Sequence, residues 1–251
     1  MLLPKSKYEV IYRKLKQRIE TLEYEYPNLL PSENTLVQEF DCSRNTVRRA
    51  IAALAADGYV QSLHGKGVRI IYQPNQYSQF LLNGIESFSE ACRRNSIPQY
   101  TKVILFSEQT VDEKISQKTG MEKGKRIYYI QRVRYLDGVP LIVDHNYFLK
   151  DVVSGLTKEI AERSIYEYLE EELGVAITTT KRVITVERTT ENDEANLELR
   201  GCNCVAVVSG RTYNADGVMF EYTQSRHSPS QFEFHEVAQR SSTASLSIKT
   251  E

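Results

Sequence analysis

SRNTVRRA, residues 43–50, is the stretch on which the fold of this chain turns. Ser43 is placed to cap a helix by accepting a hydrogen bond from an exposed backbone N–H. Val47, Ile51 and Leu54 recur at helical spacing, which assigns them to a core. The opposite arc then carries Arg44, Asn45, Arg48 and Arg49, guanidinium forks and an amide that suit phosphates and base edges. A solvated basic face has the same pattern, so the flanking sequence decides between them.

Upstream, Ser6 and Glu9 have the spacing of a capping box. Tyr8, Ile11, Tyr12, Leu15, Ile19 and Leu22 predict the apolar stripe of a first helix. A second helix is expected after Pro31, capped by Ser32, with Leu36, Val37 and Phe40 turned inward. Asp41 and Cys42 separate it from Ser43, a spacing that suits the tight turn of a helix-turn-helix. Gly58 ends the third helix. Residues 59–63 and 68–72 then read as two short strands joined by His64, Gly65, Lys66 and Gly67. The two glycines allow a tight turn that brings backbone N–H groups, Lys66 and His64 close to a polyanion. Three helices followed by a hairpin make a winged helix.

Four blocks in this region, LPSE at 30–33, SRNTVRRA at 43–50, DGY at 57–59 and GKG at 65–67, resemble the GntR family of bacterial transcription regulators in residues and in order. Val68 departs from the threonine that many relatives place after the wing glycines. The resemblance implies a DNA-facing set of Ser32, Glu33, Ser43, Arg44, Asn45, Thr46, Arg48 and Arg49, with His64, Gly65, Lys66 and Gly67 from the wing. The expected arrangement is a homodimer that presents two heads to successive major grooves of a palindromic duplex, because one small domain with a handful of charges binds weakly.

Charge distribution agrees with this division. The net charge of the 251 residues is −1, which argues against a uniformly basic coat. Residues 1–74 nevertheless hold 11 Lys plus Arg against 8 Asp plus Glu, and the remainder holds 21 against 25. Positive charge is thus focused on the expected DNA face. Four cysteines, Cys42, Cys92, Cys202 and Cys204, have neither zinc spacing nor the density of a disulfide scaffold, and Cys202 and Cys204 read as small strand residues. No metal and no cofactor are expected. The N-terminal apolar run is too short for a signal sequence and no segment approaches a membrane span, so the expected location is the cytoplasm.

The expected organisation is a DNA-binding domain over 1–72, a linker over 73–79 (QPNQYSQ), a second domain over 80–239 and a Ser/Thr-rich flexible tail over 240–251. The fold class is α+β, with a mainly antiparallel sheet in the second domain. Residues 127–135 and 139–148 around Asp137-Gly138 predict one hairpin, and 205–213 and 218–226 around Asp216-Gly217 a second. Helices are expected at 87–94, 112–119, 164–173 and 192–199.

Arg132 and Arg134, two apart on a predicted strand, project from one face. Such a pair repels unless an anion or carboxylates lie between, and a phosphate accepts forked donors well. Ser164 opens a helix that offers a hydroxyl and free N–H groups. The alternative is an edge-strand arginine pair meeting surface carboxylates, with Ser164 as a plain cap.

RVR with DGVP over 132–140, SIYEYL over 164–169 and FEYTQSRH over 220–227 resemble the UTRA ligand-sensing domain, whose fold is chorismate-lyase-like, across nearly all of residues 80–238. The resemblance implies that Arg132, Arg134 and Ser164 bind a phosphate with Tyr166 close by. It also implies that Glu221 contacts a sugar, and that Ser87, Phe88, Asp144, Arg226 and His227 complete the effector set. His227 stands where relatives often have tyrosine. The runs at 156–174 and 221–227 are similar to the branch of the family that represses trehalose utilisation in low-GC Gram-positive bacteria, which implies trehalose 6-phosphate as effector. Another sugar phosphate, such as an amino-sugar phosphate, fits the same arginines. An enzyme is the remaining rival, with Glu221, His145 or His227 as acid or base. No nucleophile elbow, zinc motif, P-loop or dinucleotide fingerprint supports it, so no catalytic residue is expected.

Overall fold

The computed structural model describes residues 6–73, 80–81, 85–94 and 96–235, which fall into two compact units, one on either side of residue 78. In the first unit, α1 (Lys7–Glu20) buries Ile11, Leu15 and Ile19 on one face. The expected Ser6–Glu9 capping box does not form: the Ser6 side chain makes no cap, and its backbone carbonyl accepts the Glu9 N–H at 2.9 Å instead. Leu22 does not join the stripe either. The helix has ended, and Leu22 sits in a left-handed turn at φ 61°, 46% exposed.

Helix α2 (Glu33–Glu39) starts where Ser32 Oγ accepts the Thr35 N–H at 3.2 Å, and α3 (Arg44–Ala56) where Ser43 Oγ accepts the Thr46 N–H at 3.2 Å. Each cap satisfies one of the N–H groups that a helix start leaves open, which is typically about 1 kcal/mol of stability. Leu36, Val47 and Leu54 from these helices meet Ile11, Leu15 and Ile19 in a closed core. Strands β1 (Val60–Leu63) and β2 (Gly67–Ile70) form the antiparallel wing, with Val60 opposite Ile70. The segment before α2 braces it: Leu30 N–H donates to Val68 O at 2.8 Å and Ile70 N–H to Asn28 O at 2.9 Å.

The second unit opens with β3 (Phe80–Leu81), α4 (Phe88–Arg94), β4 (Gln99–Thr110) and α5 (Glu113–Thr119), followed by the hairpin β5 (Arg126–Leu136) and β6 (Val139–Leu149). Asp137 and Gly138 both have positive φ, as a two-residue hairpin turn requires. Helices α6 (Lys158–Glu162) and α7 (Ile165–Glu167) precede a π-helical turn at Tyr168–Glu172. There follow β7 (Ile177–Arg188), α8 (Glu191–Asn196), β8 (Cys204–Asn214), β9 (Met219–His227), a 3-10 turn (Pro229–Gln231) and β10 (Phe234–His235), which pairs with β3. The main sheet runs β4-β5-β6-β9-β8-β7, antiparallel throughout. The fold class is therefore α+β with a mainly antiparallel sheet.

Departures from expectation have local causes. Strands β4 and β7 were not expected; they are the sheet's two edges and, apart from Thr101 and Val103 on β4, bury no residue, so the apolar alternation that marks a half-buried strand is weak in both. Helix α8 stops at Asn196 rather than at 199, because Leu197 turns extended and enters the core beside Val133, Val143 and Val205. The N-terminus of α8 carries a full capping box, Thr190 with Asp193. Cys202 lies in the turn before β8, which begins at Cys204. The expected linker beyond Gln73 and the expected tail lie outside the described residues. Among the described residues no helix is long and apolar enough to cross a membrane.

Candidate functional sites

Helix α3 exposes Arg44, Asn45, Arg48 and Arg49 together, with Val47, Ala50 and Ile51 buried behind them. Glu33, at the start of α2, grips Arg48: its two carboxylate oxygens accept from Arg48 Nε at 3.1 and 3.0 Å while the arginine side chain stays 61% exposed. An Nε held from behind turns the outer edge of the guanidinium outward, the orientation in which the fork reads guanine. Arg49 lies over the Tyr8 ring at 3.8 Å, and the Ser43 and Thr46 hydroxyls meet at 2.8 Å. His64, Gly65 and Lys66 are exposed at the wing tip, where Gly65 (φ 69°) and Gly67 (φ 105°) take conformations that other residues adopt only with strain. The structure thus brings the basic face of α3, Ser32 and Glu33 onto one exposed region of the first unit and leaves the wing loop solvent-facing.

In the second unit a cavity of about 770 Å³, counting its open mouth, lies on one face of the sheet. It is lined by Ser87, Phe88, Arg132, Arg134, Asp144, Ser164, Tyr166 and Glu221, eight of the ten residues expected at an effector site. Alternation along the strands explains the grouping: Arg132 and Arg134 of β5, Asp144 and Asn146 of β6, and Glu221, Thr223 and Ser225 of β9 all project to the same side. Both arginines are buried, on an interior strand and not at an edge.

Two chains of hydrogen bonds order the floor. In the first, Arg134 donates Nε to Asp144 at 2.8 Å and Nη1 to Thr101 at 2.9 Å, and Ser225 Oγ donates to the other Asp144 oxygen at 2.6 Å. In the second, Arg132 Nε donates to Asn146 at 3.0 Å, Asn146 to Thr223 at 2.7 Å and Thr223 to Glu221 at 2.7 Å, while Tyr166 OH donates to Glu221 at 2.6 Å. Arg132 also approaches Asp144 at 3.6 Å, and Phe88 packs on the Arg134 guanidinium at 4.8 Å. Ser164 Oγ accepts the Glu167 N–H at 3.3 Å at the pocket wall, so it is a cap as well as a lining group.

Electrostatics follow from this packing. Burial, reinforced by Arg134, pulls Arg132 down to about 9. Burial pushes Asp144 the other way, up, but the two arginines and Ser225 outweigh it and hold the carboxyl at about 2. Burial and the adjacent Glu221 push the Tyr166 phenol well above its ordinary range. The site therefore holds Arg132 and Arg134 around the Asp144 carboxylate, with the buried Glu221 carboxylate reached from Arg132 through Asn146 and Thr223, and with Arg163, Arg182 and Glu86 also on its wall. With four arginines against three carboxylates on its lining, and a single carboxylate shared directly by the two buried guanidiniums, the site favours an incoming anion.

Two expected residues are elsewhere. Arg226 follows Ser225 on β9 and so projects to the opposite face, where it binds Asp193 at 2.9 and 3.0 Å, Glu187 at 2.6 Å and the Arg188 carbonyl at 3.1 Å. That arginine is a structural tie between β9, β7 and α8. His227 lies past the end of the cavity, buried edge-on against Phe232 and Phe234, and burial lowers it to about 4. Asn146, Arg163, Thr180, Arg182, Thr212, Thr223 and Ser225 line the cavity and were not expected. The every-other-residue run of polar groups at 144 and 146, and at 221, 223 and 225, was the signal for the three of these lining residues that were missed, Asn146, Thr223 and Ser225.

Comparison with known proteins agrees with both halves. The profile of bacterial regulatory proteins of the gntR family matches residues 7–70, and that of the UTRA domain residues 99–233. The HTH-type transcriptional regulator TreR of Bacillus subtilis (strain 168) is 35% identical over 235 residues, 94% of this chain and 98% of TreR. The HTH-type transcriptional regulator GmuR of the same organism is 27% identical over 90% of this chain and 96% of its own length. The solved effector binding domain of the B. subtilis trehalose repressor TreR is 37% identical with a TM-score of 0.52, covering 57% of this chain and 99% of that domain. A possible transcriptional regulator, YydK from B. subtilis, has the same fold at 23% identity, with a TM-score of 0.78 over 94% of this chain and 100% of its own. These curated relatives are named as transcriptional regulators and not as enzymes. The chain belongs to the gntR family of bacterial regulatory proteins and is a transcriptional regulator with a winged DNA-binding head and a UTRA domain.

Proposed function

We propose that this chain represses a trehalose utilisation operon, binding a palindromic operator in the cytoplasm as a homodimer and leaving it when trehalose 6-phosphate occupies the UTRA pocket. Residues 1–72 form the DNA-binding head, 73–79 the linker, 80–239 the effector domain and 240–251 a tail. The observation that carries the reading is the buried Arg132–Asp144–Arg134 group beside Ser164, in a chain 35% identical to TreR along almost its whole length. The arginines take the phosphate, and Glu221, Tyr166 and Asn146 offer hydrogen-bonding groups to sugar hydroxyls. Arg44, Asn45, Thr46, Arg48 and Arg49 supply base-edge and phosphate contacts, with the wing adding His64 and Lys66.

Release requires that the ligand bind the DNA-free arrangement more tightly than the DNA-bound one. Operator mobility shifts titrated with trehalose 6-phosphate, trehalose, glucose 6-phosphate and glucosamine 6-phosphate test this directly. The expected result is a loss of operator affinity with trehalose 6-phosphate at concentrations where trehalose has no effect. An affinity indifferent to every phosphorylated sugar refutes the effector half, and equal grip on a random duplex refutes the operator half.

A further inference from the structure

We infer that the main sheet carries a second small-molecule site, on the face opposite the effector cavity, for a hydroxyl-rich carboxylate of sugar-acid size. Strand register builds it. Gln131 stands directly opposite His145, His145 opposite Gln224 and Gln224 opposite Ser209, so four polar side chains form one row across β5, β6, β9 and β8. Alternation sends this row to the side away from Arg132, Asn146 and Thr223. All four residues are half-buried. At about 4.8 Å per strand the row is about 14 Å long, room for an extended six-carbon chain. Arg226, tied to Asp193 of α8, borders it along one side, and Tyr129, Tyr147 and Tyr222 border it along the other.

The fold does not use up this row. On the cavity side every polar group of β6 and β9 is hydrogen-bonded to a neighbour. Here Gln131 donates to Tyr129 OH at 2.7 Å and His145 Nδ1 meets the same oxygen at 2.9 Å, but among the described residues the Gln224 and Ser209 side chains and His145 Nε2 have no hydrogen-bond partner. A half-buried amide and hydroxyl on interior strands are groups that a polyhydroxylated molecule satisfies in turn. The charge above the row is positive. Lys118, from the last turn of α5, reaches over the Tyr147 ring at 5.6 Å. Arg211, two residues along β8 from Ser209, lies over the Tyr222 ring at 5.6 Å and donates Nε to the Thr119 carbonyl at 2.9 Å. Among the described residues neither cation pairs with a carboxylate, whereas Arg226 on the same face is matched by Asp193 and Glu187. Burial and then Arg226 lower Lys118, and burial and then Lys118 lower His145, so the imidazole is neutral at neutral pH and can share Nε2 with a hydroxyl. One ammonium and one guanidinium whose Nε is already engaged suit a single carboxylate; the forked arginine pair that suits a phosphate is on the other face. The occupant is therefore a sugar acid, with its carboxylate on Lys118 and Arg211 and its hydroxyls along the row.

The test uses the full chain, its histidine rings isotope-labelled for magnetic resonance, with gluconate as the probe. Of the four histidines, His64, His145, His227 and His235, only His145 belongs to the row. Its signals, identified by their loss in His145→Gln, should move saturably as gluconate rises to about 10 mM, a range that captures weak specific binding. Sorbitol offers hydroxyls without charge and acetate charge without hydroxyls, and each should bind about ten-fold more weakly or worse. Lys118→Met and Gln224→Ala should each weaken gluconate by roughly five- to ten-fold with the thermal midpoint unchanged, because neither side chain holds another element in place. A His145 signal that stays fixed, or that moves equally in wild type and in both variants, overturns the site. Movement confined to His227 assigns the gluconate to the effector cavity and overturns it as well.

Discussion

Replacing Asp144 by Asn removes the one carboxylate between two buried guanidiniums and leaves the shape of the pocket floor intact. Pairing holds the Asp144 carboxyl at about 2 against an ordinary 3.8, which at about 1.4 kcal/mol per pKa unit corresponds to about 2.5 kcal/mol of folding stability at neutral pH. Breaking a buried pair also strands the opposite charges, for which about 3–5 kcal/mol is typical. The two figures bracket one expectation: for a unit of this size the thermal midpoint of the UTRA domain falls by roughly 5–15 °C. Since the folded-state value lies below the unfolded one, the contribution is complete above about pH 4, declines as the pH drops towards 2 and is gone below it. The variant should lack that acid limb. A phosphorylated ligand then supplies the missing charge, so trehalose 6-phosphate should raise the midpoint of Asp144→Asn more than that of wild type. Differential scanning calorimetry of the full chain with and without ligand reads both effects. A midpoint within about 2 °C of wild type, or a smaller ligand gain in the variant, refutes the picture of a carboxylate standing between two anion-seeking arginines.

Arg48→Ala should lower specific operator affinity by about 1–3 kcal/mol, roughly 5- to 150-fold, while non-specific binding weakens much less; fluorescence anisotropy against operator and scrambled duplexes separates the two. Arg226→Met should cost about 3–5 kcal/mol of stability in urea titrations, because Asp193 is left buried without its partner. Calorimetry should find its effector affinity within about two-fold of wild type, and a large loss would return Arg226 to the binding set. Burial keeps His227 at about 4 against an ordinary 6.5, so its contribution is complete above about pH 6.5 and lost as the pH falls through 4. His227→Gln should flatten the stability profile across that window, and an unchanged slope would show that the imidazole is not held neutral.

Much of this molecule was legible in its residues because two signals are local. Caps at Ser32 and Ser43 and the Asp137-Gly138 turn act over three or four residues, and the apolar spacing of Val47, Ile51 and Leu54 needs only a helix to be meaningful. What was not legible depends on distant chain. The edge strands β4 and β7 acquire their extended form by pairing with β5 and β8, not from any pattern of their own. Arg226 reads as one more basic group in FEYTQSRH until register places it back to back with Ser225, facing Asp193 from a different helix. Ser6 and Glu9 fit the capping-box formula, yet the Ser6 carbonyl serves the Glu9 N–H without the hydroxyl. Asp144 is the subtlest case: a charge on a strand names neither face nor partner until β5 and β6 are in register, with Arg132 directly opposite.

A ligand can move a regulator only through the difference in its affinity for two states, and the pocket floor shows where such a difference can arise. Asp144 bonds Arg134 and Ser225, bridging β5 to β9 across β6, while Asn146 links Arg132 to Thr223 over the same strands. A phosphate that draws either guanidinium away from its present partner rearranges both chains together, because they share three neighbouring strands. Coupling of about 1–3 kcal/mol is what an allosteric effector typically requires, and one charge-assisted hydrogen bond in a buried site is already of that size. In the proposed homodimer, amplification comes from symmetry: two heads would have to meet half-sites about 34 Å apart, so a small change in their spacing would cost the contacts of one head and not a fraction of each. Linkage makes the effect mutual. If trehalose 6-phosphate weakens operator binding by some factor in the proposed mechanism, operator DNA must weaken trehalose 6-phosphate binding by the same factor. A sensor obeys that equality whatever path the strain takes through the sheet.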